Sequence, residues 1–136
     1  MMIDVLRRLL MLAVVSTLLG STTSRLQADD WPQWRGILRD GNWSETGIVE
    51  QFPATGLNVT WRAPVRGGFA GPAVSGGRIF VLDYEETPGS RTMDGTERLL
   101  ALDEETGQEL WSQTWPAAYR NIMWKFANGP RTPPTV

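Results

Sequence analysis

The chain contains no cysteine and no histidine among its 136 residues. Without cysteine it has no disulfides, no thiolate metal ligands, no thiol nucleophile and no point for lipid attachment at cysteine. Without histidine it lacks the general base of a serine triad and the commonest zinc ligand. These two absences exclude most hydrolase chemistries within this chain.

The sequence also lacks an excess of basic residues, since 13 Lys and Arg stand against 15 Asp and Glu, a formal net charge of −2. Residues 1–28 hold three of the arginines and one of the aspartates, so the rest of the chain has ten basic and fourteen acidic residues, a net charge of −4. Such a surface offers no electrostatic footprint for nucleic acid or for an anionic membrane. We therefore expect no nucleic-acid partner.

A single long apolar run, "LLMLAVVSTLL" (9–19), lies near the amino terminus. Arg7 and Arg8 precede it, it is too short to span a bilayer comfortably, and small and polar residues follow up to Ala28. This order is typical of a bacterial secretory signal peptide at residues 1–28. Leu26 is larger than the residue usually found two places before a cleavage site, so an uncleaved membrane anchor is the alternative. We expect export to the periplasm or the extracellular space.

Residues 29–60 are rich in glycine, polar residues and tryptophan, and no helical stripe runs through them. Glycine and proline interrupt the pattern every few residues, which predicts an extended lead-in segment full of turns. The cluster formed by Trp31, Trp34 and Trp43 has two readings. Its rings either pin the lead-in onto the fold or form a platform on which sugar rings stack, and packing is the favoured reading.

Five strand-like segments follow: 58–65, 69–75, 78–84, 97–103 and 108–115. Gly76 and Gly77 both tolerate the positive φ of a two-residue hairpin, and Gly107 is suited to close a second hairpin with a bulge. The polar stretch around 85–96 predicts a solvent-exposed insertion between the third and fourth segments. The last four segments therefore predict an antiparallel meander from Ala70 to Trp115.

Apolar side chains on both faces of this meander require cover from neighbouring sheets. An internal repeat suggests what those sheets are, because "VTWRAPV" (59–65) echoes "ELWSQTW" (109–115) and aligns Trp61 with Trp111. The "GP" segments at 69–74 and 126–136 follow each tryptophan in the same order. A period of about 40 to 50 residues per four-stranded unit is that of a β-propeller. Trp111 is then expected on a blade's outermost strand, where it covers apolar area between blades.

The stretch "LLALDEETGQELW" (99–111) resembles the repeat of the pyrroloquinoline quinone (PQQ)-like β-propellers of the quinoprotein dehydrogenase-like superfamily. The segments "DWPQWRG" and "FPATGLNVTWRAPVRGG" are similar to the start of secreted propeller-repeat proteins of planctomycete-like bacteria. The resemblance implies an all-β fold in which residues 61–136 hold a first four-stranded blade and the start of a second, as an amino-terminal fragment of a longer protein. The structural repeat motif consists of Trp61, Ala101, Leu102, Asp103, Thr106, Gly107 and Trp111.

This superfamily includes dehydrogenases that hold PQQ and calcium in the central channel, and also non-catalytic repeat proteins. The chain has no cysteine pair and no match to the calcium-binding positions, so the resemblance assigns it no catalytic, cofactor-binding or metal residue. We expect a non-catalytic scaffold that contacts other proteins or the missing propeller blades. The alternatives are a fragment of a PQQ-dependent dehydrogenase, with its cofactor and calcium ligands in missing blades, and a carbohydrate-binding module built on the lead-in tryptophans.

Overall fold

The computed structural model describes residues 28–120 and 128–136, so the predicted signal peptide lies outside the described residues except for Ala28. Four strands occur in this part of the chain: β1 (Ala73–Ser75), β2 (Arg78–Glu86), β3 (Asp94–Asp103) and β4 (Glu109–Ala118). They form one antiparallel sheet in the order β1-β2-β3-β4. The described residues contain no helix. The predicted all-β meander is confirmed, and a sheet of this topology is compatible with one propeller blade.

Both hairpin turns use the glycines that the sequence analysis identified. Gly76 and Gly77 have φ values of 58° and 73°, the conformation that a two-residue turn between β1 and β2 requires. Gly107 has a φ of 69° in the turn between β3 and β4. The register between these strands shifts at Ala101/Leu102, where a bulge follows the turn.

Two predicted strands are corrected by the structure. Residues 58–65 form no strand, because they have no partner strand within the described residues with which to share backbone hydrogen bonds. The predicted strand 69–75 is shortened to Ala73–Ser75. Pro72 has no N–H to give to a ladder, and the amides of Phe69 and Ala70 donate instead to the carbonyl of Pro130.

The insertion predicted around 85–96 is a shorter loop, residues 87–93, because the two strands extend into both ends of the predicted segment. β2 continues to Glu86 and β3 begins at Asp94, with Glu86 opposite Gly95. The Tyr84 ring lies over Gly95, since a Cβ built on that glycine would come within 2.6 Å of Tyr84 Cε2. A glycine and an aromatic ring on neighbouring strands therefore stabilise pairing in a segment whose polar composition indicated a loop.

The buried apolar side chains of the described residues are Ala73, Tyr84, Leu100, Ala101 and Leu102. β3 supplies three of them because it is paired on both sides, by β2 and by β4. By contrast, nine of the ten residues of β4 are exposed. The sheet is thus well covered at its centre and open along its outer strand.

The flanking segments contact the sheet through a few backbone hydrogen bonds. Trp31 exchanges two of them with Val74, at 2.8 and 3.0 Å, and Gly67 pairs with Tyr84 in the same manner. Residues 128–136 form no strand, and the amide of Val136 donates to the carbonyl of Pro32. The lead-in and the last described residues therefore meet near β1.

Candidate functional site

The turn between β3 and β4 is where most of the predicted repeat motif comes together. The indole N–H of Trp61 donates to the carbonyl of Glu104 at 2.9 Å. The ring lies directly over Gly107, because a Cβ built there would be 2.5 Å from Trp61 Cδ2. Gly107 is therefore required both by its positive φ and by the tryptophan that occupies the space of a side chain.

Asp103 and Thr106 fix the shape of this turn. Asp103 Oδ1 accepts hydrogen bonds from the backbone amide of Thr106 at 2.8 Å and from its hydroxyl at 2.7 Å. The hydroxyl hydrogen bond is the main reason why the pKa of Asp103 is lower than usual, and the amide of Thr106 adds to it. The carboxylate holds the turn that Trp61 covers.

The remaining motif residues lie on the two strands of the same hairpin. Ala101 is fully buried and Leu102 is 3% exposed, so both belong to the core. Trp111 pairs across the strands with Ala101, and its ring centroid is 6.0 Å from that of Phe80. Nevertheless Trp111 remains 44% exposed.

A polar cluster lies farther along the face that carries Trp111. Glu97 accepts hydrogen bonds from the Trp115 indole at 2.8 Å and from the Tyr119 hydroxyl. Tyr119 also packs edge-on against Tyr84, with ring centroids 4.8 Å apart. Burial, followed by the hydrogen bond to the Glu97 carboxylate, raises the pKa of Tyr119. The cluster orients Trp115, whose ring is 36% exposed.

The opposite face contains a buried ion pair. Asp83 is 1% exposed, and its carboxylate accepts two hydrogen bonds from the Arg98 guanidinium, at 2.6 and 3.1 Å. The amide of Arg66 donates to the same carboxylate at 2.9 Å. The hydrogen bond that Arg98 donates to the Asp83 carboxylate is the main reason why the pKa of Arg98 is raised. All these contacts are internal, so the pair has a structural role.

An aromatic cavity of about 480 Å³ opens between the lead-in and β1. Trp31, Trp34 and Trp43 all line it. Trp31 is held by its backbone bridge to Val74, whereas Trp34 and Trp43 are 67% and 58% exposed. The cluster that the sequence suggested does assemble, and the cavity wall is completed mainly by Gly71, Pro72, Val74 and Pro133.

The described ranges, 28–120 and 128–136, contain no group of three or more acidic side chains placed to hold a metal ion. In the superfamily that the sequence resembles, the dehydrogenases hold a calcium ion together with PQQ. The described part of this chain therefore has no site that fits such an ion. The described residues likewise include no helix able to cross a membrane.

No protein family, curated protein or solved structure matches this chain. The residues of the hairpin turn and of the aromatic cavity could be named from the sequence, whereas the Glu97 cluster and the Asp83–Arg98 pair could not. Each of those joins residues on different strands, and their pairing depends on a register that composition does not reveal.

Proposed function

We propose that this chain is a blade of a secreted PQQ-like β-propeller repeat protein and acts as a non-catalytic interaction scaffold. The observation that carries the proposal is the exposed aromatic face of β4. Leu110, Trp111 and Trp115 on this strand are 48%, 44% and 36% exposed. Apolar side chains concentrated on one strand are typical of a surface that another protein surface covers.

The position of β4 supports contact through its face. It is the last strand of the sheet, and Pro116 within it has no N–H to offer to a further strand. Proline within sheets is confined to edge strands and bulges, so it weakens pairing along this edge. A partner that covers Trp111 and Trp115 from the side of the sheet avoids that obstacle, and this is how neighbouring propeller blades meet.

The contact between Trp61 and Gly107 provides an example of how such a tryptophan is covered. There a ring lies over a hairpin glycine and its N–H bonds to a carbonyl of the same turn. Trp111 occupies the aligned position of the sequence repeat. We infer that its natural partner is another blade, from the same polypeptide or from a second copy, and that the scaffold presents further surfaces to other proteins.

Photocrosslinking in the source cells tests this proposal. A benzophenone side chain at position 111 is expected to form covalent adducts with another blade, identified by mass spectrometry. The matched control places the same group at Thr87, which is exposed in the loop between β2 and β3 and outside the strands. Adducts at 111 that exceed those at 87 support the proposal. Equal yields at both positions, or none at 111, contradict it.

A further inference from the structure

The charged residues that line the aromatic cavity indicate which ligand charge it favours. Its charged lining residues are Asp29 and Glu104, both acidic. Neither carboxylate takes part in an ion pair within the described residues. The residues that line the cavity therefore include two acidic and no basic ones, which disfavours anions and favours a cation.

The walls of the cavity restrict the ligand further. They consist almost entirely of carbon, from three indole rings, Pro72, Val74 and Pro133. The many hydroxyls of a sugar would lose water there without finding enough hydrogen-bond partners. A quaternary ammonium group carries its positive charge on methyl groups and has no N–H to satisfy. Indole faces attract such a cation strongly.

The cavity is also held in place before any ligand arrives. Trp31 is fixed by its backbone bridge to Val74 and by close packing against Gly36. In the turn that carries Trp34, Arg39 donates to Gln33 Oε1 at 2.8 and 3.0 Å, and Arg35 donates to the carbonyl of Asp40 at 2.9 Å. Both guanidinium groups are thus engaged within the turn, so the backbone that carries Trp34 needs little ordering on binding.

We propose that this cavity binds a small, soluble quaternary ammonium compound. The methylated cation lies against the faces of Trp34 and Trp43, and the Asp29 and Glu104 carboxylates supply the long-range attraction. The volume of about 480 Å³ is within the range of about 300–1,000 Å³ typical of small-molecule sites. The site is independent of the scaffold role, because none of its lining residues belongs to β4.

Isothermal titration calorimetry of the purified chain with choline tests the proposal. The comparison ligand is 3,3-dimethylbutan-1-ol, which has the same shape with a neutral carbon in place of the nitrogen. We expect saturable binding of choline that is about threefold tighter than that of the alcohol, since a cation–π contact at partly exposed rings is of that size. Equal affinity for the two ligands would show a merely apolar pocket and overturn the proposal.

Substitutions inside and outside the cavity test whether choline binds there. Trp34→Ala is expected to weaken choline binding about tenfold or more, whereas Phe52→Ala, which removes another exposed ring outside the cavity, leaves it unchanged. Glu104→Gln weakens binding severalfold, and Glu50→Gln makes the same charge change elsewhere without effect. Circular dichroism checks that each variant keeps its sheet.

Three results contradict the proposal. The first is unchanged choline affinity in Trp34→Ala. The second is saturable binding of glucose or a β-glucan oligosaccharide without binding of choline, which would assign the cavity to sugars. The third is binding to phosphatidylcholine vesicles without binding of free choline, which would assign it to a membrane surface.

Discussion

Trp61 and Trp111 are aligned by the predicted sequence repeat but have opposite surroundings. Trp61 is half-buried, its N–H bonds to the carbonyl of Glu104, and its ring fills the space beside Gly107. Trp111 is 44% exposed, touches Phe80 at a tilt of 54°, and its N–H finds no acceptor within the described residues. The chain therefore covers the turn of the β3–β4 hairpin and leaves the outer strand uncovered.

This difference shows which part of the sheet is complete in itself. At the turn, the hairpin supplies Gly107 and a separate segment supplies the Trp61 ring. The ring covers the apolar surface of the turn, and its N–H has an acceptor. At the outer strand, the Trp111 ring is present, but no segment among the described residues covers it as Trp61 covers the turn. A repeat protein in which each unit covers part of the next would have this arrangement.

The largest expected effect comes from filling the space beside Gly107. Gly107→Ala should lower the free energy of unfolding by about 3 kcal/mol, because the new methyl group both requires a strained positive φ and collides with the Trp61 ring. Gly89→Ala is the matched control, since Gly89 has a similar φ of 79° and nothing within 4 Å of the added Cβ. Gly89→Ala should lower the free energy of unfolding by about 1 kcal/mol. If urea denaturation gave equal losses of unfolding free energy for Gly107→Ala and Gly89→Ala, Trp61 would not occupy the space beside Gly107.

Removing the two tryptophans one at a time separates their roles. Trp61→Ala should destabilise the chain by about 2–3 kcal/mol, since it removes a ring packed against the turn, whereas Trp111→Ala should cost about 1 kcal/mol. Thermal and urea denaturation of both variants measure the difference. A larger loss for Trp111→Ala would mean that its ring already packs within the blade, and the comparison would fail.

A smaller change tests the hydrogen bond alone. Trp61→Phe keeps an aromatic ring but removes the N–H that donates to the Glu104 carbonyl, so we expect a loss of about 1 kcal/mol. Trp111→Phe should change the free energy of unfolding by less than about 0.5 kcal/mol, because that N–H has no acceptor to lose among residues 28–120 and 128–136. Similar losses in both variants would contradict the assigned difference.

The smallest effect concerns acid stability at the covered turn. Thr106→Val removes the hydroxyl hydrogen bond that lowers the Asp103 pKa, so that pKa should rise towards its usual value of 3.8. A lowered folded-state pKa adds stability that is present above the unfolded value and is lost as the pH falls through the folded value. Wild-type chain should therefore keep this contribution at a lower pH than Thr106→Val.

Carboxyl chemical shifts in a pH titration measure this change directly. Asp94 is the internal control, since its lowered pKa depends on Thr92 and Arg120 and should not move in Thr106→Val. A shift of both carboxylates by the same amount would indicate a global change of the sheet. An unchanged Asp103 pKa would show that the turn is held in another way.

The turns of this fold were predictable because glycine at a positive φ is a local requirement. Gly76, Gly77 and Gly107 could be assigned from their neighbours alone, and the meander follows from joining the strands between them. The order of the four strands required only successive hairpins. The sequence could therefore predict connectivity without any knowledge of tertiary contacts.

The errors fall where tertiary partners decide the outcome. Residues 58–65 have strand-like composition, but a strand needs a neighbour, and none is present among the described residues. Residues 87–93 form the predicted loop, but the fit between Tyr84 and Gly95 extends the ladder into both ends of the 85–96 segment. In the candidate site, the tryptophans could be named from the sequence, whereas the acidic rim at Asp29 and Glu104 required the folded chain.

The native mass of the protein in its source cells tests the central claim, that the exposed face of β4 is covered by other blades. An antibody to a peptide covering residues 85–96 would detect the protein after size separation under non-denaturing conditions. We expect a mass several times the 15.2 kDa of this chain, whether the added blades belong to one longer polypeptide or to further copies. A native mass at or slightly below 15.2 kDa would contradict the account, because the aromatic face of β4 would then remain in contact with water.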